Sequence, residues 1–152
     1  AQECAETYRS IFEDNKRLLE PKVFPHVTET LKKLCARGFT LSIASSRFNR
    51  SLMDLVRTFG FDKELSLVLG ADDVTKAKPD PEPVLLTLRK LGFSASRTLV
   101  VGDMPFDILM GRGAGAKTCG VTYGNSSSEE LQGSGADYII DDFADLLDLD
   151  WL

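Results

Sequence analysis

Histidine occurs once in this chain, at His26, and cysteine three times, at Cys4, Cys35 and Cys119. Residues so few and so far apart form no recognisable zinc site, whose ligands come in closely spaced pairs. An odd number of scattered cysteines is no disulfide framework either, and fits a reducing, cytoplasmic home. Cys35 and Cys119 sit in apolar contexts and are expected to fill the core. No run approaches the ~18 apolar residues of a membrane span, and the first residues are polar, unlike a signal peptide. A basic excess is also lacking, with 18 Lys and Arg against 23 Asp and Glu and a net charge of -5. Nucleic acid and anionic membranes, which call for a basic face, are therefore not expected partners. A small anionic ligand, which needs only a few local positive groups, is still allowed.

What is present is strand–helix alternation. Gln2 to Leu19 reads as a helix broken by Pro21 and Pro25. Val27–Ala36 is a second helix, stopped by Gly38. Phe39–Ala44 reads as a strand, followed by polar Ser45, Ser46 and Arg47 and a helix carrying Leu52, Leu55, Val56 and Phe59. Leu65–Leu69 is a strand, Ala77–Pro81 a rigid loop and Pro81–Leu91 a helix. Thr98–Gly102, Lys117–Thr122 and Tyr138–Ile140 are strands, Pro105–Arg112 a helix and Phe143–Leu147 a short closing helix. Ser126–Ser128 before Glu129 and Glu130 reads as a loop and helix cap. Apolar, non-alternating strands between helices predict an α/β fold with a parallel sheet covered on both faces.

In such sheets function gathers at the carboxyl ends of the strands. Three of those ends are polar. One carries Ser45, Ser46 and Arg47; the loop after the next carries Lys76 and Lys78; a third ends in Asp103, with Asp107 one helical turn later. A hydroxyl and backbone N–H groups can hold phosphoryl oxygens, and a lysine offsets their charge. Two carboxylates suit a hard cation such as Mg²⁺, which stabilises charge on a transferring group. Singly, each residue also has a structural reading: Ser45 and Ser46 as turn or cap, Lys78 as a solvated lysine, Asp103 as an N-cap, Asp107 as a complement to a helix start. Their joint occurrence in this order points to phosphate chemistry.

These stretches resemble the haloacid dehalogenase superfamily of phosphohydrolases, in its phosphoglycolate phosphatase-like branch. "FPHVTETLKKLCARGFTLSIASSR" is similar to the segment leading to the second motif, "AKPDPEPVL" to the third, and "VVGDMPFDILMGRGAGAKTCGVTYG" to the fourth. The tail "GVTYGNSSSEELQGSGADYIIDDFADLL" is also typical of the branch. The resemblance implies a Rossmann-like core and a Mg²⁺-dependent phosphatase acting on a small phosphorylated metabolite through an aspartyl-phosphate. It implies Ser45 and Lys78 as catalytic residues, with Lys78 rather than Lys76 as the motif lysine. Ser45, Ser46, Arg47 and Lys78 would bind substrate. Asp103 would be a metal ligand, with Asp107 supporting the metal site. His26 stands where the family usually has glycine, and Met104 where it has Ser or Thr.

The family's nucleophile motif, D-x-D-x-T/V on the first strand, is not found. Asp148 and Asp150 have D-x-D spacing, but the residues before them read as helical and Leu152 takes the Thr position. The expected organisation is therefore a remnant of a helical cap over residues 1–20 and the C-terminal part of a core domain over 21–152. The central first strand is expected between those ending at Ser45 and Asp103, supplied by an upstream segment or by another chain. On this reading the chain alone is inactive. Rival readings are a sugar-phosphate mutase of the same superfamily and a non-catalytic phosphate-binding pseudoenzyme or truncated fragment. A dehalogenase is disfavoured by the acidic pair, and a signalling receiver domain by the order hydroxyl, lysine, acids.

Overall fold

The structure, a computed structural model, describes residues 21–150. The expected first helix, the cap assignment of residues 1–20 and Cys4 lie outside the described residues. Within them the order is α1 (Val27–Ala36), β1 (Leu41–Ala44), α2 (Asn49–Thr58), β2 (Leu65–Leu69), α3 (Glu82–Leu91), β3 (Leu99–Gly102), α4 (Pro105–Gly113), β4 (Lys117–Val121), α5 (Ser128–Gly133) and β5 (Tyr138–Ile140). Short 3₁₀ turns at Ala71–Asp73 and Ala95–Arg97 connect elements, and a longer one closes the fold at Phe143–Asp148. The short closing helix expected over Phe143–Leu147 is present as this 3₁₀ segment, and Asp148 sits in it and not on a strand.

Helix boundaries follow local chemistry. Pro83 in the first turn of α3 lacks an N–H that would go unbonded there in any case. Gly92 ends the same helix at φ 75°, a left-handed conformation that costs glycine little. Ser127 accepts a hydrogen bond from the Glu130 N–H at 3.2 Å, and Glu130 Oε2 accepts one from the Ser127 N–H at 2.8 Å. This reciprocal box starts α5. His26, before α1, has φ 65°, the conformation for which glycine is the usual residue.

All strand pairs are parallel, but they form two sheets: β1–β2, and β3–β4–β5. Among the described residues no strand joins β1 to β3. The β3 side chains divide between two cores. Leu99 and Val101 pack with Leu34, Cys119, Val121, Ile140 and Leu146. Val100 packs on the opposite face with Val84, Leu88 and Met110. Burial on both faces is why the strand reads as an unbroken apolar run. Both described cysteines are free: Cys119 is fully buried, while Cys35 is half-buried and donates its S–H to the Glu64 carbonyl at 3.4 Å. No described helix is long and apolar enough to cross a membrane.

Candidate active site at the carboxyl end of a strand slot

The facing edges of β1 and β3 enclose a slot of about 960 Å³. Ser42, Ile43 and Ala44 line one wall and Val100, Val101 and Gly102 the other. Val27 and Leu31 of α1, and Val84 and Leu88 of α3, also line it. At the carboxyl end of the strands its lining turns polar, with Lys78, Asp103, Asp107, Tyr123 and Gly124.

Asp107 lies in the first turn of α4 and is 7% exposed. Its Oδ1 accepts a hydrogen bond from Lys78 Nζ at 2.6 Å, and its Oδ2 accepts one from the Met104 N–H at 3.1 Å. The pair is largely withdrawn from water, the Lys78 side chain being 20% exposed. A β-carbon on Gly102 would overlap the Asp107 side chain, so glycine at the end of β3 is what lets this carboxylate fold back. Lys78 reaches the pair from the loop after β2, where its peptide bond to Pro79 is cis. Lys76, by contrast, is exposed and gives its backbone N–H to Glu82 Oε2 at 2.8 Å. Glu82 accepts the Thr75 N–H as well, at 2.7 Å. These bonds hold its carboxyl below the usual range, the Thr75 N–H first.

Asp103 follows β3. Its Oδ2 accepts two hydrogen bonds from Asn125, one from the backbone N–H at 3.0 Å and one from the side-chain amide at 2.7 Å. Its Oδ1 has no hydrogen-bond partner among the described residues. Sequence reading did not single out Asn125, which lies in a loop 22 residues away and outside any periodic pattern. Tyr123 stacks at a tilt on Phe24, ring centroids 4.7 Å apart. Burial, then the nearby Cys119, Asp142 and Asp103, pushes its phenol up to about 12. It therefore stays neutral over the ordinary pH range. The Cys119 thiol is likewise pushed up to about 12 by burial and then Asp145, which removes it as a nucleophile.

Ser45 follows Ala44 at the end of β1 and is half-buried, its N–H bonded to the Leu69 carbonyl at 2.9 Å. Its hydroxyl accepts the Arg47 N–H at 3.2 Å. Ser46 and Arg47 are exposed, and none of the three lines the slot. Arg47 reaches Ser51 Oγ at 3.4 Å, not the acidic pair. The structure thus brings Lys78, Asp103 and Asp107 together along the slot, while Ser45, Ser46 and Arg47 follow its lining residue Ala44 without lining it themselves.

A divalent cation such as Mg²⁺ takes one or two protein carboxylates and completes its shell with water and phosphate oxygens. Asp103, with one oxygen uncommitted, fits that demand. Asp107 is committed to Lys78 and the Met104 N–H. Among the described residues no group of three or more His, Cys, Asp or Glu is placed to hold a metal ion.

Residues 1–121 match the haloacid dehalogenase-like hydrolase family. The chain belongs to that family. Among its relatives, phosphoglycolate phosphatase of Salmonella paratyphi A is 38% identical over 82% of this chain and 50% of its own length. Pyrophosphatase PpaX of Oceanobacillus iheyensis is 37% identical over 82% of the chain and 58% of its own. The crystal structure of a predicted phosphoglycolate phosphatase from Haemophilus somnus superposes with a TM-score of 0.81 at 32% identity, covering 88% of this chain and 60% of that one. The chain thus spans about half to three-fifths of the length of these haloacid dehalogenase-like relatives. Its fold is theirs: a parallel α/β core with helices on both sides.

Proposed function

We propose that this chain carries the lysine-bearing and metal-holding part of a Mg²⁺-dependent phosphatase that acts on a small phosphate ester. The observation that carries the reading is the Lys78–Asp107 pair beside Asp103, at the carboxyl end of a slot between β1 and β3, which do not pair with each other. In this reading the Ser45 hydroxyl binds a phosphoryl oxygen, and Ser46 and Arg47 contribute at the rim. Lys78 offsets the charge of phosphate and nucleophile. Asp107 supports the metal site by fixing Lys78 beside it. Asp103, with one oxygen uncommitted, would hold the cation. A bound Mg²⁺ would supply charge stabilisation for the transferring group.

The nucleophilic carboxylate, on which the aspartyl-phosphate forms, arrives on a further strand between β1 and β3. That strand comes from an upstream segment or from another chain. Relatives named phosphoglycolate phosphatase support a phosphoglycolate-like substrate, and the relative named pyrophosphatase makes pyrophosphate the comparison compound.

The test is hydrolysis of phosphoglycolate, pyrophosphate and a generic aryl phosphate with Mg²⁺, by the 152-residue chain and by a longer protein containing the upstream segment. Turnover is expected only in the longer protein, best on phosphoglycolate. Asp103→Asn or Lys78→Met should lower kcat by roughly 100-fold or more, the scale of losing one charge-stabilising group. Turnover by the 152-residue chain that Asp103→Asn abolishes would refute the need for another strand.

A further inference from the structure

Asp103 is held by more than its place at the end of β3. Asn125 directs two donors, its backbone N–H and its side-chain amide, at one and the same oxygen, Oδ2. The approach is close because residue 124 is glycine: a β-carbon there would overlap the Asp103 side chain. The loop carrying Asn125 is itself fixed on the far side. Ser126 is buried with its hydroxyl 3.6 Å from Met104 Sδ, and Ser127 caps α5. Two donors on Oδ2 fix the plane of the carboxylate and leave Oδ1 as the oxygen open to a ligand.

We propose that Asn125 is a positioning residue, acting through Asp103 on cation affinity, with Gly124 providing the space. This rests on the reading of Asp103 as a metal ligand. Partners that orient metal ligands typically alter affinity by about 10–100-fold when removed. Asn125→Ala deletes the side-chain donor and keeps the backbone N–H, so a loss of about 10-fold is expected. Gly124→Ala moves Asp103 itself, and a larger loss is expected.

The experiment titrates Mn²⁺, as a paramagnetic substitute for Mg²⁺, into the full-length protein proposed above and follows free Mn²⁺ by electron paramagnetic resonance. Urea unfolding in chelator is measured in parallel. Asp103→Asn is the control for the underlying reading. Support consists of weakened Mn²⁺ binding in Asn125→Ala and Gly124→Ala, with an unchanged urea midpoint for Asn125→Ala. If Asp103→Asn weakens binding while Asn125→Ala does not, the positioning role is wrong and the metal reading stands. An affinity loss that merely follows a fall in the urea midpoint makes Asn125 a structural loop residue and overturns the role. If Asp103→Asn has no effect, the metal reading fails and takes this inference with it.

Discussion

At the scale of single residues, Lys78 and Asp107 form the most consequential pair. Breaking a buried ion pair strands a charge away from water, whereas replacing both partners by apolar groups of similar size removes that penalty. Lys78→Met is therefore expected to destabilise the fold by about 2–3 kcal/mol, toward the low end for a pair that water still reaches. Lys78→Met combined with Asp107→Leu should recover part of that loss. Urea denaturation of the two singles and the double variant checks this. A second carboxylate, Asp137, ties the start of β5 to β4. It accepts the Thr118 N–H at 2.8 Å and the Thr118 hydroxyl at 3.1 Å, with Lys117 at 3.3 Å. Burial pushes its pKa up, but the Thr118 and Lys117 hydrogen bonds outweigh this and leave it below the usual carboxylate value. A folded value below the unfolded one means the ionised form stabilises the fold. That contribution is complete above the ordinary carboxylate range near 4 and disappears as pH falls through the lower folded value. The acid limb of a stability–pH curve should be shallower in Asp137→Asn than in the parent.

At the scale of elements, two substitutions isolate local rules. Ser127→Ala removes the hydroxyl of the α5 capping box and should cost about 1 kcal/mol in urea denaturation. At His26, Ala and Gly both lose the imidazole and its 2.6 Å contact with Asp142, so they differ only in backbone. With φ at 65°, His26→Ala should be less stable than His26→Gly by about 1 kcal/mol or more, read from thermal midpoints. Elements were the most legible part of the sequence. Val27–Ala36, Leu65–Leu69 and Tyr138–Ile140 lie where apolar periodicity places them, because each is bounded by a breaker or by polar residues. Lys78, Asp103 and Asp107 were legible for a different reason: they stand at strand ends, in motifs. Asn125 was not, since a loop residue that reaches back 22 positions leaves no spacing to recognise. Nor could the sequence show that the Arg47 side chain pairs with Ser51 rather than with the acids, because the direction of a loop side chain is set by its local contacts.

At the scale of the molecule, the two-sheet arrangement governs behaviour. Among the described residues no strand pairs with the facing edges of β1 and β3 along the apolar slot, and open edges favour pairing with another strand. The 152-residue chain should therefore be marginally stable and bind a hydrophobic dye. A longer protein carrying the upstream segment should lose the dye signal and protect the β1 and β3 amides from hydrogen exchange. Equal protection in both would refute the idea that the slot is a strand's place. Lys78 belongs to the β1–β2 half and Asp107 to the β3–β5 half, so their ion pair spans the divide between the sheets. The spacing of the two halves and the position of the Lys78 ammonium group are thus one mechanical variable. Any event that sets that spacing, whether a strand entering or a segment leaving, also sets where the ammonium group stands relative to the carboxyl end of β3. Assembly of the sheet and the placement of this buried charge are in this way a single linked equilibrium.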